Sequence, residues 1–342
     1  MAISCGSQCI SCDFPIHFDT YKGCSHACKY CYVKQKYDIS NIEPINTTKS
    51  LRNFIDGKRT YETKWCDWKI PLHWGGNSDP FQPVEKTHKT SHDCLKILAE
   101  TKYPFIVSTK NPGMLTEEPY LSLIQECRCV LQVSMACSKY DAIERGAPYY
   151  TDRLKAIEFL ADKVTRVIVR VRPYFPDCHK AIMQEIPNYA KAGAHGISIS
   201  SFISMTKQKG MTRYGVRYMF PLEVLVPKYR EIKQACHDNG LVFWCSEADL
   251  EHFGDDLFCC GTTGLDDFIP NVFNASHLAY DEMPPEPTEA MKATDTYQPF
   301  KCIGQSQAWA LKCKNRSFAD LMLDIGADLI EGNKQSKIEW KC

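Results

Sequence analysis

The stretch KGCSHACKYCYVK, residues 22–34, carries Cys24, Cys28 and Cys31 at the spacing C-x3-C-x2-C. A disulfide consumes two thiols, and a closed structural zinc site takes four ligands. Three thiols in one short loop suit a metal group that keeps a position open. In a [4Fe-4S] cluster each iron takes one thiolate. Three protein thiolates therefore leave one iron free to chelate a small molecule, as an open zinc position binds substrate. The alternative is a zinc ion held by the three cysteines and completed by His26 or by a distant ligand.

Outward from this loop, apolar β-rich runs alternate with longer amphipathic segments. The patterns predict strands over 68–76, 103–112, 128–137, 165–176, 194–202 and 241–250. They predict helices over 91–102, 120–127, 152–164, 180–193 and 222–240, the last closed by Gly240. Alternating β and α units imply parallel strands with right-handed crossovers. The expected fold is α/β, a partial (β/α)6 TIM-type barrel, with a doubly wound open sheet as the second possibility. DEMPPEPTEAMKATDTYQPF, residues 281–300, reads as a linker. SFADLMLDIGADLIEG, residues 317–332, reads as a small helical appendage. The expected division is a Cys-rich extension over 1–19, a barrel over 20–280, and a linker with helical appendage over 281–342.

Lys plus Arg equals Asp plus Glu, 41 each in 342 residues, so no global basic field exists to hold a polyanion. The first residues lack a charged segment followed by a long apolar core, and no signal peptide is expected. No apolar run of about 18 residues predicts a membrane span. The cysteines number 19, odd and numerous. Without secretory features they fit a reducing, cytoplasmic compartment with thiols used as metal ligands. Cys94, Cys236 and Cys313 fall in helical patterns and read as buried small hydrophobes.

With Tyr30 before its last cysteine, the C-x3-C-x-aromatic-C loop resembles the signature of the radical S-adenosylmethionine (SAM) enzymes. The resemblance implies that the open iron binds the amino and carboxylate groups of SAM. An electron from the cluster then splits SAM into methionine and a 5′-deoxyadenosyl radical, which takes hydrogen from a substrate. It also implies a reductant protein of flavodoxin or ferredoxin type. In the family a glycine-rich turn after the second strand receives the SAM amino group. Here HWGGNSDPFQPVEK, residues 73–86, offers Gly75, Gly76 and Asn77, with Ser78 and Asp79 as polar contacts in place of the usual Glu. Ser108 and Lys110 end one strand and are expected at the SAM carboxylate. Ser134 ends the next and is expected at the ribose or carboxylate. Arg170 and Arg172 alternate along VIVRVRP and so share one face of their strand. On the inner face they would need an anion; on the outer face they would be solvated.

Ser78, Asp79, Pro80, Pro83, Glu85, Thr109, Lys110, Glu144, Pro148 and Arg153 together look like the spore photoproduct lyase branch and its uncharacterised relatives. The resemblance covers roughly residues 20 to 250. It implies a nucleobase or nucleotide in DNA as substrate. The alternatives are modification of a peptide or small metabolite, or a zinc-binding structural or nucleic-acid-binding protein. KSLRNFIDGKRTYETKWCDWK, residues 49–69, interleaves basic and aromatic residues and reads either as a nucleic-acid contact or as a solvated amphipathic helix.

The N-terminal SCGSQCISC repeats the spacing with Cys5, Cys9 and Cys12. It reads as a second metal site, an auxiliary iron–sulfur cluster rather than zinc. Cys245, Cys259 and Cys260 are candidates for its fourth ligand. Adjacent Cys259 and Cys260 are expected to place only one thiol on it. Cys137 is a candidate hydrogen donor or a buried thiol. Glu247, Asp249, His73 and Trp74 are candidates for substrate contacts or packing.

Overall fold

A computed structural model describes residues 3–5, 12, 14–35, 41–58, 60, 63, 69–215, 217–247, 250–256, 259–270, 327–332 and 335–340. The chain opens with strands β1 (Ile3–Cys5), β2 (Ile16–Phe18), β3 (Tyr21–Lys22) and β4 (Glu43–Pro44). Helix α1 (Thr47–Ile55) and strand β5 (Leu72–Trp74) follow, then α2 (Glu85–His88) and α3 (Thr90–Thr101). Next come β6 (Phe105–Thr109), α4 (Tyr120–Gln125), β7 (Cys129–Ser134), α5 (Tyr150–Leu160), β8 (Arg166–Tyr174) and α6 (His179–Lys191). Then come β9 (Gly196–Ser201), the hairpin β10 (Thr212–Tyr214) and β11 (Arg217–Met219), α7 (Leu222–Asp238) and β12 (Val242–Cys245). A separate hairpin pairs β13 (Ala327–Gly332) with β14 (Gln335–Trp340).

One sheet organises the molecule, in the order β1-β2-β5-β6-β7-β8-β9-β12. Every neighbour from β2 to β12 is parallel, and only β1 is antiparallel. Among the described residues the two edges do not pair, so the sheet is open, as a partial barrel is. The six strands expected from the apolar runs are all present. They are Val- and Ile-rich because both faces are covered, as in parallel sheets generally. β6 and β7 are buried along their whole length. β2 was not among the expected strands, although it is as long as β5.

Parallel pairing puts registered residues on one side of the sheet. His17 is level with His73, Ser108 with Gln132, Ser134 with Arg170, and Arg170 with Ser198. One face is therefore a polar stripe. His73 Nε2 lies 3.1 Å from Ser108 Oγ, which donates to Gln132 at 2.8 Å. The other face carries Val107, Leu131, Val133, Val169 and Ile199, all buried.

Residues 327–332, placed within a helix by their periodicity, form a strand instead. The apolar spacing in ADLIEG is too short to separate a helical from an extended period, and the partner strand β14 decides it. The rest of the expected appendage and the linker at 281–300 lie outside the described residues, as does Cys313. α1 buries Leu51 and Phe54, and Arg52 pairs with Glu100 at 2.9 Å. That helix is a packed amphipathic element, and Phe54 is not available for base stacking. No helix among the described residues is long and apolar enough to cross a membrane.

Candidate functional site

The three-cysteine loop leaves the carboxyl end of β2 and β3, beside the carboxyl ends of β5, β6 and β7. That is the edge where parallel α/β sheets build their sites. Cys24 and Cys31 are partly buried and Cys28 is buried, and all three are free thiols. Burial, with Asp79 second, pushes the Cys24 thiol up to about 12. Burial also raises Cys28, although Lys110 pulls it back. Cys24 and Cys28 interact, as do Cys28 and Cys31, so the three form one electrostatic group.

The loop is clamped from two sides. Gln82 accepts from the Ser25 amide at 2.8 Å and donates to the Gly23 carbonyl at 3.2 Å. His26 Nδ1 donates to the Gly146 carbonyl at 2.8 Å, and its Nε2 lies 3.1 Å from Asp79. The Gly146 amide returns a bond to the His26 carbonyl at 3.1 Å, and the Lys29 amide donates to Ile143 at 2.9 Å. A Cβ on Gly146 would stand 2.3 Å from the Ser25 carbonyl, so the loops meet at a distance only glycine allows. His26 Nδ1 is thus committed to the Gly146 carbonyl, while its Nε2, close to Asp79, is buried without a hydrogen bond.

Asp79 works inside the protein. It accepts from the Phe81 amide at 2.9 Å, Thr109 Oγ1 at 2.8 Å and the Lys110 amide at 2.6 Å. Burial alone would raise its carboxyl, but His26 and these donors more than offset that and hold it below the usual carboxylate range. Asp19, absent from the sequence-derived set, caps the turn after β5. It accepts from the amides of Asn77 and Ser78, each at 3.0 Å, and from Asn77 Nδ2 at 2.8 Å. Gly75 has φ +90°, and a Cβ there would lie 2.6 Å from the Ser108 carbonyl. The Gly76 carbonyl accepts from the Tyr32 hydroxyl at 2.7 Å.

Lys110, Tyr30, Ser134, Glu144 and Arg153 form one network beside the cysteines. The Lys110 ammonium lies 5.7 Å from the Tyr30 ring centroid and 3.8 Å from Glu144. Glu144 also accepts from the Tyr30 hydroxyl, and it pairs with Arg153 at 2.5 Å. Arg153 donates further to the Ser134 carbonyl at 2.9 Å and the Pro148 carbonyl at 2.8 Å. The motif positions thus converge, but several of them serve as supports. Glu85 is the clearest case. It accepts from the hydroxyls of Tyr21 and Tyr120 and from the amides of Ser91 and His92 at the start of α3, which leaves it committed to the fold.

The arginines face inward. Arg170 has its Nε buried without a hydrogen-bond partner, and Arg172 reaches Ser198 Oγ at 3.4 Å. Burial and then Arg172 pull the Arg170 guanidinium down to about 10. Burial and then Arg170 pull His73 down to about 3, so it stays a neutral ring. Trp74 points to the opposite face and packs on Phe18, Phe81 and Phe105.

Cys259 and Cys260 are both buried, with sulfurs 4.0 Å apart. A turn carries them, which brings the two sulfurs close together. Cys12 is brought near Cys260. Cys245 is not. Its register with Ile199 puts it on the helix-covered face with Phe243, near Tyr229 of α7. The side chain of Cys5, and Cys9 and Asp249 entirely, lie outside the described residues. Glu247 is fully buried and accepts from Tyr229 at 3.0 Å. Cys137 is buried against Cys178.

No family model matches the chain. It is 24% identical over 207 residues to an uncharacterized protein of Mycobacterium tuberculosis, covering 57% of each chain. An uncharacterized protein of Mycobacterium bovis matches with the same figures. The chain thus spans a little over half the length of the curated relatives it matches. Among solved structures it is similar to Streptococcus suis SuiB bound to S-adenosylmethionine, at TM-score 0.47 and 12% identity, over 78% of this chain and 56% of that one. It is also similar to anSMEcpe with bound AdoMet, at TM-score 0.44 and 10% identity, over 81% and 80% of the two chains.

Proposed function

We propose that this chain is a radical SAM enzyme whose [4Fe-4S] cluster is held by Cys24, Cys28 and Cys31. One observation carries the reading. A three-thiol loop is clamped at the carboxyl edge of a parallel sheet, next to a strained Gly-Gly turn and a lysine.

When bound, the cluster supplies the electron that splits SAM. The chain's own groups do the rest. Lys110 favours the thiolate of Cys28 and places a cation where a carboxylate is to be held. Gly75 lets the backbone approach an amino group closely, and Tyr32 braces the Gly76 carbonyl. Glu144 and Arg153 fix Tyr30 and the Ser134 strand end. These groups bind and orient while the cofactor carries the chemistry.

For the substrate we keep a nucleobase or nucleotide, on the lyase-like motif positions alone. Asp79, Glu85, Glu144 and Arg153 are engaged in holding the fold, so they speak for shared architecture more than for shared substrate. A reducing cytoplasmic setting suits the free thiols of Cys24, Cys28 and Cys31. A flavodoxin- or ferredoxin-type protein is the proposed electron donor. The test is the variant Cys28→Ala, reconstituted anaerobically and given SAM and dithionite. Loss of 5′-deoxyadenosine is expected, and product at the wild-type rate would refute the ligand assignment.

A further inference from the structure

Between Glu185 and Glu223 the sequence holds no Asp or Glu, whereas Lys191, Lys207, Lys209, Arg213 and Arg217 all fall there. In a chain of balanced charge this is a local positive segment. Its second half, KQKGMTRYGVRYMF, residues 207–220, contains the hairpin β10–β11. Arg213 stands opposite Tyr218 and Tyr214 opposite Arg217, across a turn that starts at Gly215 with φ +57°. Cross-strand partners share a face. Each face of the hairpin therefore carries an arginine beside a tyrosine.

The hairpin is fixed at its base. The backbones of Ser204 and Tyr218 exchange two hydrogen bonds, at 3.0 and 2.8 Å, and Met211 and Met219 are buried. Its cations stay in solvent. Lys207, Lys209 and Arg213 are exposed, and among the described residues none of the three pairs with a carboxylate. Tyr214, Arg217 and Tyr218 are half-buried. The segment also roots at the edge that carries the cysteines. It follows β9 directly, and the ring of Phe202 lies 5.1 Å from that of Phe175 at the end of β8. Phe175 lies edge-on to Tyr30 of the three-cysteine loop at 6.1 Å. Two ring contacts thus join the root of the positive segment to that loop.

Phosphates attract unpaired cations, and every base offers a π-face to a tyrosine, so this pairing of charge and aromatics fits a single strand of nucleic acid. A duplex keeps those faces inside its stack. An anionic membrane surface calls for a broad apolar face beside the charge. Over 203–220, among the described residues, Met205 is the one exposed large hydrophobic. We infer that the β10–β11 hairpin and the loop before it bind a single strand of nucleic acid and lead it to the cysteine edge. This rests on the proposed nucleobase substrate, which the strand delivers to the site out of its stack.

The test uses the full chain, reconstituted anaerobically and kept without SAM. It is titrated into a fluorescein-labelled thymidine oligonucleotide of about 16 nucleotides, and into its uridine counterpart, with anisotropy read at several salt concentrations. Binding with Kd of about 1–100 µM that weakens with salt is expected, and the tighter of the two probes tells DNA from RNA. Lys207→Ala/Lys209→Ala/Arg213→Ala is expected to weaken it at least about tenfold and to flatten the slope of log K against log salt by about 2. Tyr218→Ala is expected to weaken it about tenfold with the slope unchanged, and Tyr218→Phe to restore it. Far-UV circular dichroism of each variant should match wild type. Absence of binding at about 100 µM, variants that bind as wild type does, a duplex held more tightly than the single strand, or binding to phosphatidylserine vesicles alone would each overturn the inference. A wild type that holds its iron and binds the oligonucleotide but makes no 5′-deoxyadenosine supports the hairpin surface and overturns the proposed function. The converse pattern overturns the surface and leaves that function standing.

Discussion

At the scale of single residues, the most consequential position is Gly146. It has no chemistry, yet its backbone holds His26 at two bonds and its missing side chain admits Ser25. Gly146→Ala is expected to leave the sheet folded but push the cysteine loop outward. Iron uptake by the reconstituted variant should fall well below wild type while circular dichroism is unchanged. Normal iron content would show that the close contact does not position the loop. Arg153 makes a second residue-scale claim. It is an almost wholly buried cation whose ion-pair partner, Glu144, is equally buried. Removing one partner of such a pair strands the other, at a cost of about 3–5 kcal/mol. Arg153→Met should lower stability by that order in urea denaturation, and a loss under about 1 kcal/mol would mean the pair is already solvated.

Some of this was legible in the residues and some was not. The cysteine spacing, the Gly-Gly turn and Lys110 were readable because each is a short local pattern. Gln82, Asp19 and Gly146 were not, because their work is across 57 to 120 residues of chain and no local spacing marks it. Glu85 and Asp79 were visible as motif members, but only the hydrogen bonds show that they are supports.

At the scale of elements, the apolar runs marked strands β5, β6, β7, β8, β9 and β12 because a parallel sheet buries both faces. The same reasoning missed three-residue β2 and misread 327–332, where the period was too short to decide. The turn after β12 illustrates what the pattern cannot carry. Asp255 accepts from the Phe243 amide at 2.8 Å, from Lys233 at 2.9 Å and from His237 at 2.9 Å, tying that turn to β12 and α7. Burial would raise its carboxyl, but these donors more than offset burial and depress it. A depressed carboxyl stabilises the fold above the ordinary carboxylate range, and the contribution disappears as pH falls through the folded-state value. Asp255→Asn is therefore expected to cost about 1–2 kcal/mol at neutral pH, and the gap to wild type should close in acid. Urea titrations at pH 7 and pH 3 check this; an equal gap at both would remove the carboxylate from the account.

At the scale of the molecule, the open parallel sheet explains why so many distant residues meet. The carboxyl ends of β2, β5, β6 and β7 lie side by side, so a loop, a turn, a lysine and a serine from four stretches of chain share one edge. The inner stripe beneath that edge places His73, Gln132, Arg170 and Ser198 on one face of the sheet, with Gln132 holding the Cys260 carbonyl. Strand order, which determines these neighbours, follows from the succession of βα units. The depth of each side chain and the partners of the buried arginines do not.

The measurement that bears most directly on this account is 5′-deoxyadenosine formation by the anaerobically reconstituted wild-type chain, given SAM and dithionite, with the Cys24→Ala/Cys28→Ala/Cys31→Ala variant alongside. The account predicts product from the wild type and none from the variant. No product from a wild-type chain that carries its full iron and sulfide would contradict it.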